Sequence, residues 1–211
     1  MDNSKIAEYL LKIKAIRLNT EEPFTWSSGW KSPIYCDNRL TLSYPEIRTA
    51  IRDAFIEKIR QHFPEVTGIA GVATGAIASG VLVADALGLP FIYVRPQPKG
   101  HGLQNLIEGK ISPEGQYVVI EDLVSTGGSS VKAVKAIQET GATVLVTYSI
   151  FSYGFPHAEI AYAETGTGYS PLTNLAELLQ KATEIDYLRP EEMATILEWQ
   201  KDPANWKGSK P

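Results

Sequence analysis

The residues with the most distinct chemical pattern lie in VVIEDLVSTGGSS, Val118 to Ser130, where two acids, Glu121 and Asp122, stand just before a run of hydroxyls and glycines. In Ser125, Thr126, Gly127, Gly128 and Ser129 the glycines let the backbone turn and approach a ligand, while hydroxyls and N–H groups donate to an anion. Carboxylates beside such a cradle would repel a phosphate, so they should face another part of the same ligand. A sugar diol about one ribose away from a 5'-phosphate meets that requirement, because an ionised carboxylate accepts from hydroxyl donors. The pattern points to a ribose 5-phosphate moiety. The same run would also suit a strand ending in a turn and a capped helix whose acids are merely solvated.

Elements around this run are expected to position it. Val118, Val119 and Ile120 read as a short buried strand, and Ser129 to Glu139 as a helix with Val131, Val134 and Ile137 on one face. A strand, a tight loop and a helix N-terminus leave free backbone N–H groups and a favourable dipole for an anion. GVATGA, Gly71 to Ala76, is a second candidate anion loop, with Ala73, Thr74 and Gly75 ahead of a helix; an ordinary tight turn has the same composition. The long insertion from Arg95 to Gly115 gathers Arg95, Lys99 and His101 in an otherwise acidic chain. A mobile basic loop of this kind closes over a diphosphate leaving group, although a solvated loop explains the composition as well.

The remaining chain alternates helices with apolar strands. Ile6, Tyr9, Leu10, Ile13 and Ile16 recur at helical spacing. Phe24 to Pro45 breaks periodicity with aromatics, glycine and prolines, and suits either a cover for a planar ligand or a flap closing the core. After Pro45 come a helix, strand VTGIAGV, helix GAIASGVLVADALG, strand PFIYVR, strand QYVVIED, a helix and strand TVLVTYSIF. This alternation predicts an α/β fold whose central, mostly parallel five-stranded sheet carries helices on both faces, with ligands at the carboxyl ends of the strands. Beyond Phe151 the chain reads as irregular with a short strand, then a helix opened by Pro171 and capped by Thr173 or Asn174, and a last helix from Glu191 to about Gln200. Trp199 and Trp206 read as packing or subunit contacts.

Composition narrows the class. At 211 residues with 44% hydrophobic content the chain can hold one sizeable core, and its formal charge of −4 gives no general reason to bind nucleic acid or an anionic membrane. The single cysteine, Cys36, excludes an internal disulfide, and three separated histidines form no metal cluster. No apolar run resembles a signal peptide or reaches spanning length, so a cytoplasmic location is the expectation.

IEDLVSTGGSS resembles the signature of the type I phosphoribosyltransferases, which bind 5-phosphoribosyl 1-diphosphate. Over roughly residues 5 to 185 the chain is similar to the bacterial orotate-using branch, on FTWSSGWKSPIYCDNR, GVATGA, VRPQPKGHG and VVIEDLVSTGGSS. The resemblance implies a small N-terminal hood over the base within residues 1–43, a core at 44–185 and a C-terminal helix and tail at 186–211. It carries phosphoribosyl diphosphate binding to Ala73, Thr74, Gly75, Arg95, Lys99, His101 and the run Glu121, Asp122, Leu123, Val124, Ser125, Thr126, Gly127, Gly128 and Ser129. Catalytic roles fall on Arg95, Lys99, His101 and Asp122. Orotate contacts fall on Ser27, Tyr35, Cys36, Ser125 and Tyr153. It further implies a homodimer whose basic loop reaches the partner's site, with Mg2+ held through substrate diphosphate and water, making orotidine 5'-phosphate and diphosphate for UMP synthesis. A purine or uracil salvage transferase, or a non-catalytic sensor of phosphoribosyl diphosphate, are the rival functions. The chain departs from the better-known branch at Ser27, Gly75 and Pro96, where lysines are usual, and at Tyr153, near the place of an arginine. Each change removes a cation.

Overall fold

The computed structural model describes residues 3–26, 28–97 and 106–208. The chain opens with α1 (Asn3–Lys12), followed by four short strands, β1 (Ile16–Leu18), β2 (Phe24–Thr25), β3 (Lys31–Ser32) and β4 (Ile34–Cys36). These pair as two small antiparallel ladders, β1 with β4 and β2 with β3. A 3-10 helix, η1 (Asn38–Ser43), leads into α2 (Pro45–His62), which starts with proline at a position whose missing N–H costs no helical bond.

The core then alternates β5 (Gly68–Val72), α3 (Ile77–Leu87), β6 (Phe91–Val94), β7 (Ile107–Glu108), β8 (Gln116–Val124), α4 (Gly128–Gln138) and β9 (Thr143–Ser152). It closes with α5 (Pro156–Ala163), β10 (Tyr169–Asn174), α6 (Leu175–Glu184) and α7 (Pro190–Lys201). The main sheet has six strands in the order β10-β9-β8-β5-β6-β7. All neighbours are parallel except the two-residue β7, which pairs antiparallel with β6, so the expected five-stranded parallel sheet is present with one short strand added at its edge.

Both faces of this sheet are covered, and strand alternation divides the core accordingly. Ile69, Val118, Ile120 and Ile150 pack with residues of α1, α2, α6 and α7, while Ala70, Val72, Val119 and Val144 pack with residues of α4 and α5. The central strand β5 is buried at every position, as a parallel strand with helices on both sides must be. Among the described residues no helix is long and apolar enough to cross a membrane.

Several boundaries differ from the sequence reading for identifiable reasons. The strand ahead of the acids does not stop at Ile120; parallel pairing with β9 carries it through Val124, with Glu121 opposite Ser149 and Val124 opposite Ser152. The stretch after Phe151 contains helix α5, started by Pro156, in a place read as irregular. Pro171 lies inside β10 and starts no helix, and β10 is an edge strand, where a missing N–H is tolerated. Asn174 does cap α6: its side chain accepts from Glu177 N at 3.0 Å, and Glu177 answers by accepting from Asn174 N at 3.2 Å.

The hood is tied to the core by aromatic packing. Trp199 of α7 is fully buried, stands edge-on to Trp26 at 5.6 Å, Tyr153 at 5.7 Å and Phe155 at 5.5 Å, and donates from Nε1 to the Lys31 carbonyl at 3.1 Å. Trp26 donates to the Ile34 carbonyl at 3.1 Å. The C-terminal helix therefore reaches back to position residues 24 to 36.

Candidate active site

The carboxyl ends of the parallel strands face two adjoining clefts. The first, of about 590 Å³, is walled by Trp26, Trp30, Tyr35, Cys36, Leu123 and Tyr153, with Ser125 and Thr126 at its polar side. The second, of about 340 Å³, is bounded by Thr74 and Gly75 on one side and by Asp37, Arg39, Glu121 and Asp122 on the other. Cys36 and Leu123 line both, so the two spaces share a wall.

Local sequence explains the polar floor. β8 ends at Val124, Ser125 and Thr126 form the connection, and Gly127 takes φ +82° immediately before α4. That left-handed conformation favours glycine, and it turns the chain into the helix in one residue. No side chain caps α4, which leaves its first amides available to an anion. Val124 itself is 1% exposed and packs in the core, so only its backbone can serve the loop; its carbonyl accepts from Tyr153 N at 3.2 Å.

The second candidate anion loop follows β5. Ala73 donates from its backbone to the Val94 carbonyl at 2.9 Å, and the Ala73–Thr74 peptide is cis. A Cβ added to Gly75 would collide with the Asp122 carboxylate. Glycine at this position is what allows the loop to lie against the acid, and any larger side chain would have to displace that carboxylate.

The two acids line the same cleft but differ in burial. Glu121 is 5% exposed, and its Oε1 accepts from Asp122 N at 2.9 Å. Burial, and then the charge of Asp122, push its carboxyl well above the usual carboxylate range. Asp122 is half-buried at the cleft, and its carbonyl accepts from Asn38 Nδ2 at 2.6 Å. Burial, and then the charges of Asp122 and Asp37, push the Cys36 thiol well above its ordinary value.

The first cleft has no charged side chain among its described lining residues. Tyr153 is 2% exposed, stacks on Phe155 at 5.4 Å and meets Phe151 edge-on at 5.3 Å. Burial pushes its phenol well above the ordinary value, and its ring presents an aromatic surface to the cleft. Such a cleft suits a planar ring held by aromatic area and backbone groups.

Thus Ala73, Thr74, Gly75, Glu121, Asp122, Leu123 and Ser129 come together at one cleft, and Tyr35, Cys36, Ser125, Thr126 and Tyr153 at the other. Arg95 borders neither; its guanidinium pairs with Glu108 at 3.4 Å, and its backbone N donates to the Leu106 carbonyl at 2.8 Å. Ser27, Lys99 and His101 lie outside the described residues. Sequence reasoning did not single out Asp37, Asn38 and Arg39, although all three line the second cleft. The available signal was a charged, cap-forming triplet directly after the apolar IYC strand.

Among the described residues no group of three or more His, Cys, Asp or Glu side chains is arranged to hold a metal. The second cleft carries the carboxyl groups of Asp37, Glu121 and Asp122 and the hydroxyls of Thr74 and Ser129, oxygen donors of the kind a hydrated Mg2+ accepts when substrate phosphates complete its shell.

No protein-family model matches the chain. It is 53% identical over 203 residues to orotate phosphoribosyltransferase of Cytophaga hutchinsonii, covering 96% of this chain and 97% of that one. The corresponding protein of Bacteroides fragilis is 53% identical over 204 residues, covering 97% and 96%. Among solved structures, orotate phosphoribosyltransferase from Aeropyrum pernix superimposes with a TM-score of 0.76 at 29% identity, covering 85% of this chain and 98% of that one.

Proposed function

The chain belongs to the orotate phosphoribosyltransferase family, and on that premise we propose that it transfers the phosphoribosyl group of 5-phosphoribosyl 1-diphosphate to orotate, giving orotidine 5'-phosphate and diphosphate on the route to UMP. The observation that carries this reading is the shared wall. An uncharged aromatic cleft for a flat ring adjoins an oxygen-rich cleft for a sugar and its phosphates, and Cys36 and Leu123 separate them by one layer of side chains.

The reaction forms a bond from orotate N1 to ribose C1 as the C1–O bond breaks and diphosphate leaves with the electron pair. Orotate N1 belongs to an electron-poor ring and arrives deprotonated, so no strong general base is required. Asp122 holds the ribose diol and favours the positive charge that develops on the sugar ring. The α4 amides with Ser125 to Ser129 hold the 5'-phosphate, and the Thr74–Gly75 loop receives the diphosphate. Tyr35, Cys36, Ser125 and Tyr153 bound the base, with Ser27 assigned to the same side by family resemblance. Mg2+ would be held through substrate oxygens and water, with the oxygen-bearing side chains of the second cleft, Asp122 among them, beside it, and would supply positive charge against the diphosphate. Incubation of the protein with phosphoribosyl diphosphate, Mg2+ and a panel of bases should release diphosphate with orotate. Preference for adenine, guanine or uracil would overturn the assignment at its base-binding cleft.

Arg95, Lys99 and His101 supply further positive charge from a loop that reaches the second subunit of a homodimer. Lys99→Ala and Asp122→Ala homodimers should each be badly impaired, and mixing them should restore activity in heterodimers that keep one intact site. A verified heterodimer population without recovered activity would reject the shared arrangement.

A further inference from the structure

The sugar-phosphate cleft poses an electrostatic problem. Its described lining contains three carboxyl groups, Asp37, Glu121 and Asp122, and one cation, Arg39. A diphosphate entering that space needs positive charge close by, and Thr74 and Gly75 offer only backbone and a hydroxyl.

Arg39 is built into place. Asp37 caps η1 by accepting from Arg39 N at 3.2 Å, and Thr41 Oγ1 donates to the Asn38 carbonyl at 2.6 Å. Asn38 is 2% exposed and donates to the Asp122 carbonyl at 2.6 Å, which fixes the start of η1 against β8. The remaining side-chain oxygen of Asn38 is buried with no partner among the described residues. The guanidinium meets Asp37 through two parallel bonds, Nε to Oδ1 at 2.7 Å and Nη2 to Oδ2 at 3.0 Å. This fork is the geometry that also recognises a phosphate.

The pair is not a strong structural element. The Arg39 side chain is 63% exposed, and an ion pair so open to water contributes at most about 1 kcal/mol. Asp37 keeps its carboxyl below the usual range through the Arg39 hydrogen bond, so it stays ionised and holds the guanidinium at the cleft. Asp122 lies near enough for its charge to favour the guanidinium cation as well.

We infer that Arg39 is a substrate-binding residue, parked on Asp37 in the free protein and transferred to the diphosphate group of the sugar substrate when that group enters the cleft. The inference rests on the functional reading above and adds to it a role for Arg39, which ends the FTWSSGWKSPIYCDNR stretch and was given none there. Asp37 then acts as a competitor for the guanidinium, which holds it in position and weakens its hold on the ligand.

Titration of the whole protein with inorganic diphosphate and Mg2+, and separately with phosphoribosyl diphosphate, tests this. Arg39→Gln should weaken both about 10- to 100-fold, the range for loss of a charge-assisted pair, with KM for orotate unchanged. Arg39→Lys, which keeps charge without the fork, should fall between Arg39→Gln and the parent. Asp37→Asn keeps the cap and removes the competitor, so it should tighten diphosphate roughly two- to five-fold. A merely structural pair would make both substitutions weaken binding together, and that result, or parental affinity in Arg39→Gln, would overturn the inference. If the parent binds diphosphate through Arg39 but forms no orotidine 5'-phosphate, the inference stands and the functional reading fails.

Discussion

Replacing Asp122 by Asn is expected to lower kcat/KM by roughly 30- to 1000-fold, because loss of one well-placed electrostatic contact in a transition state costs about 2–4 kcal/mol. The substitution keeps shape and removes charge. The backbone links of Asp122, its N–H to Glu121 and its carbonyl from Asn38, do not involve its carboxylate and should persist. Thermal unfolding should therefore stay within roughly 2 °C of the parent, as for a substitution that creates neither a cavity nor a buried unpaired charge. Unchanged kcat/KM at saturating Mg2+ would remove Asp122 from the chemistry. The contrast with Glu121 is one of burial: Glu121 is 5% exposed and burial pushes its carboxyl well above the usual carboxylate range, whereas Asp122 is half-buried.

Trp199→Ala should have the largest effect on folding. Truncation of a fully buried tryptophan costs about 3–5 kcal/mol, which corresponds to a fall in Tm of about 6 to 20 °C for a chain of this size. It also leaves the Lys31 carbonyl without its donor and removes the edge that Trp26 and Tyr153 rest against. Those two side chains wall the aromatic cleft. In the variant that remains folded below its lowered Tm, KM for orotate should rise more than KM for phosphoribosyl diphosphate, since the Thr74 and Asp122 side of the site is carried by other elements. A parental Tm would show that the aromatic cluster does not hold the hood, and equal rises in both KM values would break the link from α7 to the base cleft.

What the sequence determined by itself is what a few neighbouring residues can decide. The loop from Ser125 to Ser129 was legible because hydroxyls, glycines and a following helix occur within one turn of chain, and glycine alone accepts φ +82° cheaply at Gly127. The cap at Asn174 and the proline start of α2 are local for the same reason. Alternation of apolar strands and helices fixed the parallel sheet with two covered faces, because only that arrangement buries such strands on both sides.

Tertiary structure decided whatever depends on partners distant in the chain. β8 continues through Glu121 and Asp122 because β9 pairs with it, and both acids reach the second cleft, Glu121 buried and Asp122 half-buried. Helix α5 is a single short segment between Gly154 and Gly166, and its burial of Ala158 and Tyr162 against the sheet, more than local propensity, sustains it. The packing of Tyr153 into an aromatic stack at the wall of the first cleft requires Trp26 and Trp199, which no local pattern brings together. Asn38 and Asp122 are 84 residues apart, and η1, hydrogen-bonded across to β8, brings Arg39 to the cleft that Thr74 and Gly75 line. Local chemistry marked the Ser125 to Ser129 loop as a candidate cradle; long-range strand pairing and packing chose the charges around the cleft.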